Sequence, residues 1–266
     1  MRIWTIAAQK GGVGKTTTTI NLAGALLREG ARVLLVDLDP HGSLTSYCGL
    51  DPDQVEPNLY GVFEAAADGE TRRLSDVVHA TRTPDLHIAP AAAALVTLER
   101  RFGMKTGMGL ALSRSLQTVA GDYDYCLVDC PPTLGVLVIN ALVCCEQLVA
   151  PVQTEYLAEQ SLDRLLHTLR MIERSRRTPL PHLVVPTMFD RRTRAATETL
   201  AAIRRRRDLT LWDEYIPVDT QLREASRLGE PLTLRQPYAR GSIAYQHLLA
   251  ALRGEQAATL RMRAAG

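Results

Sequence analysis

Residues 9–15, Gln-Lys-Gly-Gly-Val-Gly-Lys, lie between a β-forming run at residues 2–8 and a segment with apolar residues at helical spacing, residues 16–28. No other stretch restricts the fold of the chain so tightly. A glycine-rich turn that leads from a strand into a helix N-terminus converges backbone N–H groups on one point and adds the positive end of the helix. Such a turn suits phosphate. Lys15 is placed to reach the β- and γ-phosphates of a nucleotide, and the Thr16 hydroxyl to ligate Mg²⁺; Gly11, Gly12, Val13, Gly14 and Thr17 complete the cradle.

The segments around this loop read as a β–loop–α–β unit. Gly30 ends the helix, and residues 33–37 (VLLVD) form the continuous apolar run of a strand buried on both faces. Further strands are expected at 86–89, 125–129, 147–151, 182–187 and 215–218. Helices are expected near 92–102, 108–120, 136–145, 158–174, 193–205, 220–228 and 240–252. This alternation predicts an α/β fold, a doubly wound and mostly parallel sheet with helices on both faces. One domain over residues 1–253 and a loosely held tail over 254–266 are expected.

Composition agrees with a globular core. Of 266 residues, 46% are hydrophobic and 23% charged, while aromatics supply only 5%, so the core must rest on Leu, Val, Ile and Ala. Charged or amide residues interrupt every apolar run before it reaches the length of a membrane span. The five cysteines lack paired zinc spacing and read as reduced thiols of a cytoplasmic protein. Charge is unevenly spread. Residues 1–160 carry 12 Lys and Arg against 18 Asp and Glu, a net −6, whereas residues 161–266 carry 19 Arg against 11 acids, a net +8. That half is a candidate surface for polyanions.

Two acidic strand ends follow the loop. Asp37 and Asp39 leave the second strand at its C-terminal end, where ligands bind in open α/β sheets. Asp129 ends the apolar run YCLVD and is the expected magnesium-side acid, with Asp37 in support.

The usual phosphate loop has glycine where this chain has Gln9, and Lys10 stands beside it. In this deviant Walker A form, KGGVGKTT resembles the ParA/MinD family of P-loop ATPases. The segments VLLVDLDPHGSLT, YCLVDCPPTLG, PVQTEYLAEQSL, PTMFDRRT and IPVDTQLREASRLGEP carry the resemblance through most of the chain. It implies a slow ATPase with ATP and Mg²⁺ as cofactors, and a homodimer when ATP is bound. Lys10, which has no evident task within one subunit, is then the signature lysine that crosses to the partner's phosphates. Asp39, the second acid of D-x-D, orients the attacking water, and Lys10, Lys15 and Asp39 form the catalytic set. Met188, Phe189 and Pro217 bound the adenine.

The same resemblance implies nonspecific double-stranded DNA as a matrix, with Arg192, Arg223 and Arg227 as contacts, although Gln221 replaces the family's basic residue on that helix. A ParB-like or chemotaxis-array adaptor would stimulate hydrolysis, and the cargo would be a chromosome or plasmid or a chemotaxis array, in a nucleoid-associated or polar location. Membrane attachment of the MinD kind is disfavoured, since residues 257–266 offer only Leu260 and Met262 as bulky apolar groups. An iron–sulfur relative is also disfavoured, because Cys130 has no counterpart within residues 91–98. The rival of another class is a P-loop metabolic ligase.

Overall fold

The computed structural model describes residues 1–102, 105, 107–156, 158–176 and 178–254. Apart from Gly254, the expected tail, with Leu260 and Met262, lies outside the described residues. Seven strands form one sheet: β1 (Arg2–Ile6), β2 (Val33–Asp37), β3 (His79–Ala80), β4 (Leu86–Ala89), β5 (Tyr125–Asp129), β6 (Gln147–Gln153) and β7 (His182–Thr187), in the order β3-β4-β2-β5-β1-β6-β7. All neighbours pair in parallel except the two-residue edge strand β3. The expected doubly wound sheet is present.

The helices are α1 (Lys15–Leu27), α2 (Ser43–Tyr47), α3 (Tyr60–Ala67), α4 (Leu98–Phe102), α5 (Ala111–Gln117), α6 (Val136–Cys144), α7 (Ala158–Arg176), α8 (Arg194–Arg204), α9 (Thr220–Leu228), α10 (Leu232–Arg235) and α11 (Arg240–Leu252). Strand alternation sends neighbouring residues into two separate cores. Leu34, Val36, Cys126 and Val128 pack on the side of α3, α5, α6 and α7. Val33, Leu35, Leu127 and Val149 pack with Trp4 and Tyr245 on the side of α1 and α11. Residues buried on both faces explain why these strands read as unbroken apolar runs.

Two expectations differ from the structure. Residues 215–218 add no strand; Pro217 forms an isolated bridge with Phe189, and Leu211 another with Val184. The chain touches the end of the sheet at single points rather than along a ladder. Helices α2, α3 and α10 and strand β3 were not expected, being short and without distinct periodicity. Strand β6 runs past Pro151, which is tolerated because β1 pairs with β6 only as far as Val149.

Helix α1, which begins at the phosphate loop, is held by close packing along its length. Asn21 accepts from the Thr233 amide through its side chain at 3.3 Å and from the Thr233 hydroxyl through its carbonyl at 2.9 Å. One turn on, a Cβ at Gly24 would meet Thr233 Oγ1 and lie 2.5 Å from Pro231 Cβ. Glycine is therefore needed for contact with α10, despite its cost inside a helix. Gly24→Val is expected to lower stability by about 1–3 kcal/mol through overpacking. Urea unfolding of parent and variant checks this; an unchanged midpoint would show that α10 yields freely.

Candidate functional site

The phosphate loop leaves β1 and enters α1 through two left-handed turns, at Gly12 (φ 76°) and Gly14 (φ 90°), which L side chains adopt only with strain. No side chain caps the start of α1, and its first turn holds no acid. Its amides are thus free to meet an anion. The Thr187 hydroxyl at the end of β7 donates to the Val13 carbonyl at 2.8 Å and anchors the crown of the loop. Lys15 is buried, with its ammonium 3.3 Å from the Lys10 carbonyl, inside the loop rather than in solvent.

The acids arrive by register. Asp37 and Asp129 are direct partners on adjacent strands, both fully inside. Thr16 donates its hydroxyl to Asp129 Oδ2 at 2.6 Å, and Thr19 to Oδ1 at 3.4 Å. Asp37 instead accepts from the amide and hydroxyl of Thr45, each at 2.8 Å, and from the Asp39 amide at 3.1 Å. Asp129 therefore touches the expected magnesium hydroxyl, whereas Asp37 organises the loop after β2. Burial pushes both carboxyls above the usual carboxylate range, reinforced by the Asp39 charge at Asp37 and by the Asp37 charge at Asp129; hydrogen bonds from Thr45 and Thr16 and the Lys15 charge oppose this only in part. A site in which two acids are costly to ionise together favours a cation beside them.

No group of three or more His, Cys, Asp or Glu able to hold a metal occurs among the described residues. One hydroxyl and one or two carboxylates make an incomplete hard-oxygen set. That fits Mg²⁺, which is held by few protein ligands together with phosphate oxygens.

Other expected residues divide. Lys10 forms an ion pair with Glu155, just beyond β6, so it does have a partner within its own subunit. Met188 adopts φ 52°, and its Cε lies 3.9 Å from where a Cβ of Gly14 would stand, so it faces the loop. The Phe189 ring is buried with Ala196, Leu200 and Tyr215, away from the loop. Pro217 is buried beside it at the bridge. Arg192 is bound by both oxygens of Asp190, and Arg227 pairs with Glu224 at 2.5 Å. Arg223 is exposed and has no ion pair among the described residues. Sequence reasoning passed over Gln9, whose amide donates to Thr168 on α7 at 2.9 Å, as well as Thr45, Glu155 and His41.

A family model described as an AAA domain matches residues 1–181. The sporulation initiation inhibitor protein Soj of Bacillus subtilis is 37% identical over 248 residues, covering 93% of this chain and 96% of Soj. The chromosome partitioning protein ParA of Caulobacter vibrioides is 36% identical, covering 93% of this chain and 92% of that protein. The chain belongs to the ParA/MinD family of P-loop ATPases. Solved structures similar to this ParA/MinD member include cobyrinic acid a,c-diamide synthase from Mycobacterium smegmatis with bound ATP analogue and magnesium. It is 32% identical with a TM-score of 0.80, over 95% of this chain and 94% of the other.

The raised acids give a pH test on the protein without nucleotide. Folding lifts the Asp129 carboxyl above its unfolded value of about 3.9, so stability from its bound proton is full below that value and is lost as pH rises through the folded one. Asp129→Asn keeps an acceptor for Thr16 and removes the charge. The variant should gain on the order of 1–3 kcal/mol over the parent near pH 8, and little near pH 4. Unfolding at the two pH values decides; an advantage that does not grow with pH would assign the cost elsewhere.

Proposed function

We propose that this chain is an ATP-driven dimer switch that positions a cargo, the reading supported above all by Thr16, Asp129 and Lys15 converging beneath an uncapped helix N-terminus. The loop amides and Lys15 hold the triphosphate. Thr16 and Asp129 hold Mg²⁺, which when bound neutralises phosphate charge and supplies Lewis acidity. Asp37 fixes the loop that carries Asp39, and Asp39 orients water for slow hydrolysis to ADP and phosphate. Met188 bounds the adenine from the loop side. Lys10 exchanges Glu155 for the phosphates of a second copy, which makes the dimer depend on ATP.

The supporting relatives are named for chromosome partitioning and sporulation control, in keeping with a partition role that uses DNA as matrix and a ParB-like activator. Positioning of a chemotaxis array is the variant of the same reading. No helix among the described residues is long and apolar enough to cross a membrane. The similarity to a diamide synthase favours a second reading, a P-loop ligase; it predicts ATP turnover accelerated by a small carboxylic acid rather than by protein or DNA.

ATP with Mg²⁺ should shift the protein from monomer to dimer at micromolar concentration while ADP does not, as measured by sedimentation with a slowly hydrolysed analogue. Asp39→Ala should retain the dimer and lose turnover, and Lys15→Ala should lose nucleotide affinity. A nucleotide-loaded protein that stays monomeric, or an Asp39→Ala enzyme of parental rate, would overturn these assignments.

DNA retention should require ATP, because only the dimer joins two basic surfaces. Arg192 and Arg227 are already neutralised by Asp190 and Glu224, so Arg223 carries the larger share. Arg223→Glu should weaken binding to all sequences alike, reducing the slope of log affinity against log salt by about 2 per dimer. Equal retention with ATP and ADP on random duplex would remove the switch from this step.

A further inference from the structure

The ring of His41 lies against the carboxylate that the proposed hydrolysis depends on. Its Nδ1 is 2.9 Å from Asp39 Oδ1, and its backbone amide reaches the same oxygen at 3.1 Å. A carboxylate only accepts, so the ring must be the donor, either as the neutral Nδ1–H tautomer or as imidazolium. Asp39 Oδ2 has no hydrogen bond among the described residues. One oxygen is held from two sides and the other is left for a water. The Asp39 side chain is 14% exposed and the His41 ring 83%, so the carboxylate lies inside and the ring reaches it from the solvent side.

The backbone of this turn is fixed independently of the ring. The Asp39 amide donates to Asp37, and the Gly42 amide to the Asp39 carbonyl at 2.8 Å. Gly42 takes φ 61° with Pro52 packed where a Cβ would be. A change at the ring therefore leaves the loop in place. The charged groups that interact with Asp39 are Asp37 on β2 and Asp129 on β5, the latter with Lys15 beside it.

We infer that His41 is a positioning residue for Asp39: its Nδ1–H fixes the carboxylate rotamer that aims Oδ2 at the attacking water. The inference rests on the reading of Asp39 as the water-orienting group. Held in this way, the carboxylate keeps Oδ2 as a full acceptor for the water.

The test measures kcat and KM for ATP on the full chain with saturating Mg²⁺ at neutral pH. Parent, His41→Ala, His41→Asn and Asp39→Ala are compared. His41→Asn places an amide N–H where Nδ1 stood. The loss of one positioning hydrogen bond should make His41→Ala about 2–10-fold slower, with unchanged KM. His41→Asn should recover the parental rate. Two results overturn the inference: His41→Ala at the parental rate, or a loss that His41→Asn does not restore, which is the mark of a structural role. Parental turnover by Asp39→Ala would instead remove the water-orienting reading itself. Loss of turnover there, beside a parental His41→Ala, would remove only the role of His41.

Discussion

Parallel pairing of β2 and β5 sets Asp37 beside Asp129, and the rest of the site is arranged around that enforced neighbourhood. All six parallel strands end on the same edge, so Asp37, Asp129, Gln153 and Thr187, which end four of them, collect where the phosphate loop leaves β1. Two buried carboxylates side by side repel and resist ionisation. The structure divides them by partner. Asp37 is given three donors from its own loop, and Asp129 is given Thr16 and Thr19 from α1. The first acid thereby becomes a fastening for residues 39–45, and the second is left facing the helix start. A magnesium ion is the natural third party beside Asp129, because a bound cation offsets the cost of ionising a buried acid.

Much of this was legible in the sequence. Apolar runs buried on both faces, VLLVD and YCLVD, announced a parallel sheet, and their terminal acids fell at the site because strand ends in such sheets share one edge. The glycine-rich turn read between strand and helix is present, with Gly12 and Gly14 in left-handed conformations. Partners contributed by distant segments were not legible. Glu155 meets Lys10 only because β6 pairs beside β1, and Gln9 meets Thr168 only because α7 packs over that edge. Asp190 and Glu224 stand two and three residues from the arginines they neutralise, so those pairs lay within reach of local reasoning, had charge been read by neighbour rather than by half-chain sum. The side-chain directions of Met188 and Phe189 followed from no periodicity, because a left-handed residue there breaks strand alternation.

The ion pair of Lys10 with Glu155 bears on the proposed switch through its weakness. Its side chains are 28% and 38% exposed, and a pair so accessible to water contributes only about 0–1 kcal/mol. A triphosphate offers several negative charges in a site screened by two subunits, a stronger attraction than one solvated carboxylate supplies. The contact in one subunit is therefore no obstacle to a role across an interface. It parks the Lys10 ammonium near the loop without committing it, while Lys15 stays enclosed. Two lysines five residues apart are thus separated by burial: the inner one is enclosed by the loop and the outer one remains free to change partners.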